Sequence, residues 1–360
     1  MSSTSLEDFV AEVNGSGHLR VEHDFGDGFV RLRTSEAERR QAIQDIRCVE
    51  SIVLELLRNS RDAHASKIFV AMSREGQKRV LTVVDDGDGI PESMHAHVFE
   101  PRVTSKLDTS HVDAWGMHGR GMALYSISVN SEYAAVEASQ PGLGCSIRVV
   151  ADTEKLQEKS DQSSFPTFTL AEAGNVLVRG PRNILRTACE FAIESRATCS
   201  VYVGSPVDVA ATLFYYGSAT LSTIDRAFCR DSRQLPLSKR LATAGEPEDL
   251  KKLADEIGLE MSERTARRIM NGEIATLDPI LDLVQITSGH EVPKRKKAPS
   301  KLGRRPIRLE RSDTELLKAA TKDAFEELAH RYYLESGVEP SVRVSYDRIT
   351  VTVPVVRKDD

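Results

Sequence analysis

Apolar residues at Ile43, Ile46, Val49, Ile52, Val53, Leu56 and Leu57 recur at near-helical spacing and predict a helix from about Glu38 to Arg61 with a wide apolar stripe. Beside the stripe, Glu55 and Asn59 stand four positions apart, so both side chains leave the same face. Short runs rich in β-branched residues at 67–72 (KIFVAM), 79–85, 133–138 and 145–150 (CSIRVV) predict strands. Helices laid on such strands make an α+β layer sandwich around an antiparallel or mixed sheet. Residues 1–37 form a poorly patterned arm with a turn at FGDGF (25–29). The stretch HVFEPRVTSKLDTSHVDAW (97–115) carries little periodicity, which inside a compact domain marks a mobile functional loop.

Further along, Asp152 to Pro166 turns to Ser, Lys, Gln and Asp and reads as a surface loop. A strand (175–180), a helix (about Asn183 to Arg196) and a strand (199–204) follow, then a helical interval from Leu221 to Leu283. Within that interval, LKKLADEIGLEMSERTARRIMNGE (250–273) reads as a helix, a turn at Gly258 and a second helix with Ser262 as its N-cap. The chain closes with a helix (about Asp313 to Glu335) and two alternating strands around Asp347.

Composition adds three bounds. With 360 residues, 40% hydrophobic and 28% charged, the chain is ordinary globular material for two to three domains. It has neither a long apolar run nor a secretory h-region, so a cytoplasmic protein with no membrane contact is expected. The five cysteines are scattered without a C-x-x-C pair, which argues for buried thiols rather than a disulfide framework or a zinc site. The net charge of −6 is uneven: between Val292 and Arg311 nine Lys or Arg residues meet one acid, Glu310.

The chemistry lies in three segments in fixed order: ELLRNSRDA (55–63), DDGDGIP (85–91) and GMHGRGMAL (116–124). A carboxylate and an amide on one helix face suit a water beside a hydrated Mg²⁺. A strand ending in Asp85 and followed by alternating glycines suits a flat ring, and a glycine-studded turn into a helix suits phosphate oxygens. Glu55 alone also reads as a solvated helix carboxylate; its weight comes from the company of the other segments.

The three segments resemble the N-box and the two glycine boxes of the GHKL ATPases (gyrase, chaperone, histidine kinase, MutL), over roughly Ile43 to Val150. The resemblance implies a Bergerat-type ATP-binding domain over 38–165 with a helical insert and a small C-terminal α/β segment. It assigns Glu55 as the water-orienting base, Asn59 as the Mg²⁺ ligand, and Asp62 as a residue orienting that shell or capping the helix. Asp85 would accept from the adenine amino group, with Gly87, Gly89 and Ile90 around the base; Asp86 and Asp88 read as turn residues. Thr104, Ser105 and Lys106 match a TSK triplet of MutL-type members and lie in a FEPRVTSK stretch similar to histidine kinases. Lys106 would reach phosphate or remain a solvated loop lysine. Gly116, Gly119 and Gly121 fit a G-x-x-G-x-G box, with His118, Arg120 and Met122 lining a lid. His111 and His118 have no metal-ligand spacing.

In order of parts, the 166–220 strand-helix-strand extension and the 221–290 helical domain resemble the B subunit of topoisomerase VI and its reduced relatives. After the 291–311 basic linker, the helix and hairpin of 312–360 are too short for a full transducer domain. No lysine from such a domain can be assigned to the γ-phosphate; Lys294, Lys296, Lys297 and Lys301 are loose candidates. The helices at 250–273 have three readings: DNA contact through residues 264–268 (Arg264, Arg267, Arg268), a packing module, or a solvated face. The basic stretch 294–308 is a nucleic-acid patch or a tether. The expected activity is Mg²⁺-dependent ATP binding and slow hydrolysis, with lid closure and ATP-dependent dimerisation with a second copy or action on a separate catalytic subunit. A kinase-like signalling ATPase and a non-hydrolysing ATP sensor are the alternatives.

Overall fold

The computed structural model describes residues 21–105, 111–113, 116–118, 121–170, 176–222, 229, 231–284, 286–288, 311–332, 336–344 and 349–354. The chain divides into two compact units, 1–291 and 292–360, so its division falls at the start of the basic stretch.

Within the first unit, the arm expected over 1–37 contains a hairpin of β1 (Val21–Gly26) and β2 (Phe29–Leu32), turned through Gly26, Asp27 and Gly28, all at positive φ. Helix α1 (Glu36–Asp45) opens on a capping box, Ser35 with Glu38, and α2 spans Val49–Asp62. The single helix expected from Glu38 to Arg61 is thus two helices, separated by extended backbone at Ile46 and Cys48. The reason lies in the spacing. Steps of three residues at 43, 46, 49 and 52 each fall about 60° short of a full turn, so the stripe would wind around one continuous helix. The break lets Ile46 and Val49 both face the core and leaves Ile43 48% exposed.

The central sheet is five-stranded in the order β12-β3-β4-β9-β8. Strands β3 (Lys67–Glu75) and β4 (Lys78–Asp85) form an antiparallel hairpin. A two-residue β5 (Val103–Thr104) pairs instead with β2, and β6 (His111–Asp113) pairs with β7 (Gly116–His118), so the segment expected to be an unpatterned loop contains short ladders. After α3 (Ala123–Val129) come β8 (Tyr133–Ser139) and β9 (Cys145–Asp152), both antiparallel neighbours in the sheet. Next are β10 (Thr167–Leu170), β11 (Val176–Arg179), α4 (Ile184–Glu194) and β12 (Ser200–Gly204). Strand β12 runs parallel to β3, which makes the sheet mixed.

Both faces of this sheet are covered. Strand alternation sends Leu81, Val83, Ile147 and Val149 to the face where α2 and α4 pack, with Ile52, Val53, Leu56, Leu57 and Phe191. The other face carries Phe69, Ala71 and Val84 under α5 (Pro206–Thr220), α6 (Leu237–Arg240), α7 (Pro247–Glu256) and α8 (Glu263–Met270). The turn expected at Gly258 is present at φ +74, and Ser262 caps α8 by accepting from the Thr265 N–H. Two buried hydroxyls on the sheet tie this helical pair down: Thr82 donates to the Gly258 carbonyl at 2.9 Å and Ser146 to that of Ile257 at 2.8 Å. The 250–273 segment is therefore built into the same core as the sheet, which favours its packing-module reading. Arg267 and Arg268 are engaged with Glu263 and Glu273. Past the interval expected to be helical, Leu221 to Leu283, the 221–290 domain also contains a strand, β13 (Ile286–Ser288), parallel to β10, where the β-branched pair Ile286–Thr287 suits a ladder.

The second unit, taken by itself, has α9 (Arg311–Tyr332) and an antiparallel pair, β14 (Ser341–Val344) with β15 (Ile349–Thr352). Residues 294–308 lie outside the described residues except by sequence. Among the described residues no helix is long and apolar enough to cross a membrane. Of the five cysteines, all free, Cys145, Cys189 and Cys199 are buried.

Candidate nucleotide site

The site forms where the last turns of α2 meet the end of β4. The amphipathic stripe of α2 fixes the helix against the sheet, which turns Asn59 and Ser60 toward the neighbouring strand. There they line a pocket with Asp85, Leu56, Ala63, Val83, Gly89, Ile90, Leu124, Cys145 and Ile147. Apolar side chains dominate the walls and one carboxylate lies at the back, a lining that accepts a flat, weakly polar ring with a donor at its edge.

Asp85 is 6% exposed. Its Oδ2 accepts from the Ser60 hydroxyl at 2.7 Å and its Oδ1 from the Gly87 N–H at 2.9 Å. Burial pushes its carboxyl up to about 6, against those two bonds, which pull the other way. Each carboxylate oxygen can accept twice, so the Ser60 and Gly87 bonds do not exhaust the acceptor capacity of Asp85. The same burial, with Asp85 alongside, raises the Cys145 thiol, which is inert at neutral pH. Replacing Ser60 with Ala removes a donor from a buried carboxylate. A loss of about 1–3 kcal/mol in folding stability is expected, measurable by urea denaturation.

The glycines act differently from the expectation. The resemblance places Gly87 and Gly89 around the base. A Cβ on Gly87 would instead strike the Ala63 carbonyl, and one on Gly89, at φ +72, the Gln140 carbonyl. They permit close backbone packing behind the pocket, with Gly89 also lining it. Asp86 and Asp88, expected as turn residues, instead bond across the chain: Asp86 accepts from the N–H groups of Ser66 and Lys67, and Asp88 sits 2.8 Å from the His64 ring.

Of the other expected residues, Asn59 has its Nδ2 buried with no hydrogen-bond partner among the described residues. A buried amide at the pocket wall without a partner fits a site whose remaining member is a ligand, and a rotated amide presents its oxygen to a hydrated cation. Glu55 lies one turn earlier on α2, 22% exposed, with its Oε1 accepting from the Arg58 guanidinium at 2.6 Å. Asp62 ends the helix and accepts from Arg61 at 3.2 Å, outside the pocket lining. Ile90 lines the pocket, its N–H bonded to Ser139 at 2.7 Å. Thr104 is in the β2–β5 ladder and Ser105 is exposed beside it. Gly116 and His118 belong to β7. Gly121 adopts φ +68 against the Arg102–Val103 backbone, and the Met122 carbonyl accepts from Ser126 at the start of α3. Lys106, Gly119 and Arg120 lie outside the described residues. Among the described residues no cluster of His, Cys, Asp and Glu holds metal-ligand geometry.

Sequence reasoning missed Ser60, Leu56, Ala63, Val83, Leu124, Cys145 and Ile147. Three of them had a visible signal. Ser60 adjoins Asn59 on the motif helix, and Cys145–Ile147 has the period-2 spacing that puts both side chains on the face of Val83 and Asp85.

Comparison with known proteins agrees with this geometry. Residues 44–155 match the family described as histidine kinase-, DNA gyrase B-, and HSP90-like ATPase. That segment is a GHKL-superfamily ATPase domain with the α+β fold of the family. Three similar proteins are each named DNA mismatch repair protein MutL. The one from Halobacterium salinarum is 27% identical over 212 residues, 58% of this chain and 32% of the relative. That from Pseudothermotoga lettingae is 34% identical over 176 residues, 48% of this chain and 31% of the relative. That from Clostridium beijerinckii is 41% identical over 81 residues, 22% of this chain and 12% of the relative. The matched stretches thus span about a third or less of these relatives' length.

Proposed function

We propose that this chain binds ATP with Mg²⁺ in the pocket between α2 and β4 and hydrolyses it slowly, as the ATPase part of a MutL-like DNA-processing system. The observation that carries the reading is the meeting of a buried Asn59 Nδ2 with no partner among the described residues and a buried, hydrogen-bonded Asp85 carboxylate across one apolar pocket. Asp85 accepts from the exocyclic amine of adenine. Guanine has a carbonyl at the matching position and is refused. Asn59 holds the magnesium ion, which spreads the charge of the phosphates when bound. Glu55, one turn away on the same helix, orients water toward the terminal phosphorus.

Nucleotide orders the 101–121 lid, whose first residues are laced to β2, and the ordered lid creates a contact with a second copy or a catalytic partner. Between the two DNA-processing readings, the MutL-named relatives favour the MutL-like one over the topoisomerase VI-like one. DNA contact falls to the 294–308 stretch and to the exposed Arg264, with Arg267 and Arg268 already held by acids.

Calorimetric titration with a non-hydrolysable ATP analogue and Mg²⁺ tests the pocket. Saturable binding in wild type is expected, with Asn59→Ala losing most of the Mg²⁺-dependent gain in affinity. No heat from folded wild-type protein would end the reading, and binding without Glu55-dependent turnover would convert it to an ATP sensor. Sedimentation with the same analogue is expected to shift monomer to dimer; an unchanged monomer would remove the clamp.

A further inference from the structure

We propose that Arg58 is a positioning residue for the water-orienting carboxylate, holding Glu55 in one rotamer through a charge-assisted bond; this rests on the hydrolytic reading above. The two residues are one helical step of three apart, so α2 itself brings their side chains onto neighbouring ground. The contact is short, Arg58 Nη1 to Glu55 Oε1 at 2.6 Å. It is also unlike an ordinary surface pair. The Arg58 side chain is only 6% exposed, whereas Glu55 keeps 22% and so remains within reach of water. A buried guanidinium has few alternative rotamers and cannot be deprotonated, so it acts as a fixed, permanently charged anchor.

The physical consequence follows from what a free glutamate would do. An unrestrained Glu on a helix surface samples several rotamers, and only one of them directs a carboxylate oxygen at a water beside the Asn59 cation site. Anchoring one oxygen narrows that search. Asn59 is the next residue after Arg58, so base, anchor and metal ligand share a single turn and their spacing is set by the helix backbone.

The test combines turnover with a measurement on the nucleotide-free protein. Arg58→Gln is expected to lower kcat about tenfold or more with KM changed less than twofold, since the effect is on the water and not on nucleotide grip. Arg58→Lys, which keeps the charge and loses the planar fork, is expected to recover part of that loss. In the absence of nucleotide, a thermal double-mutant cycle of Glu55→Gln and Arg58→Gln is expected to show each single variant melting lower and the double variant losing less than the sum. Turnover equal to wild type in Arg58→Gln, or kcat and KM moving together with lost nucleotide affinity, overturns the positioning role. Additive melting shifts would show that the pair is not coupled and overturn it as well. If wild type itself shows no Glu55-dependent turnover, the hydrolytic reading fails, and the positioning role fails with it even where the pair is coupled in the cycle.

Discussion

Replacing Glu55 with Ala is expected to cut ATP turnover by about 10²–10⁴-fold while leaving nucleotide affinity within a few-fold of wild type. The asymmetry follows from where the side chain stands. Glu55 lies outside the residues lining the base pocket, one turn from Asn59 on α2, and its exposed part faces water. On the proposed function it acts at the reacting end of the ligand and hardly in its grip. Truncation also frees the buried Arg58 from its carboxylate, so a melting temperature lower than wild type is expected alongside the loss of turnover. Steady-state phosphate release and analogue binding, measured on one preparation, check both halves. Equal phosphate release by wild type and Glu55→Ala would remove the mechanism.

Asp85→Asn is expected to act on the opposite quantity and weaken ATP binding by roughly 10- to 100-fold, the loss of a hydrogen bond to a charged acceptor. The amide brings an NH₂ group into a place where Ser60 and Gly87 already donate, so one of those donors meets a donor. Turnover at saturating ATP is expected to survive better than affinity. The carboxyl of Asp85 also sets a pH dependence. Its folded value of about 6 lies above the ordinary 3.8 because burial disfavours the charge. The folded state therefore holds this proton more tightly than the unfolded chain does. The resulting stability is fully present below about 3.8 and is lost as pH rises through about 6. Binding runs the other way: the acceptor is ionised above about 6, so ATP affinity is expected to fall between pH 8 and 5.5 in wild type. Asn at this position has no such titration. The difference between the wild-type and Asp85→Asn pH profiles, in calorimetry for binding and in urea denaturation for stability, isolates this one group from phosphate and histidine titrations. Parallel profiles in both measurements would show that Asp85 is neither the acceptor nor a strained carboxylate.

How much of this was legible beforehand depends on the range of each interaction. The strands expected at 67–72, 79–85, 133–138 and 145–150 were visible because short runs rich in β-branched and apolar residues mark a strand locally, and each lies within a strand of the central sheet. The Asn59 and Asp85 assignments rested on three short motifs, and the pocket brings those two residues together with Gly89 and Ile90. Ser60 was not singled out, because its role is a hydrogen bond across 25 positions of chain. The division of the first helix could have been read from the 43–46–49–52 spacing, which drifts around a helix instead of following one side. The β1–β2–β5 sheet was not legible, since a two-residue strand such as Val103–Thr104 has no periodicity and exists only where β2 offers its edge.

From its residues alone the chain determined the amphipathic α2 with Glu55, Arg58 and Asn59 at fixed helical spacing, the strand that ends in Asp85, and the capped start of α8 at Ser262. All of these depend on contacts a few residues apart. Only the tertiary structure decided that β12 lies parallel to β3, that α5 to α8 cover the second face of the sheet, and that Gly87 and Gly89 make room for the Ala63 and Gln140 backbone. It also decided that Asp85 is buried deeply enough to hold its proton near pH 6. The physical reason is common to these features: each depends on which surfaces meet after the chain has folded back on itself, and such meetings leave no mark on neighbouring positions in the sequence.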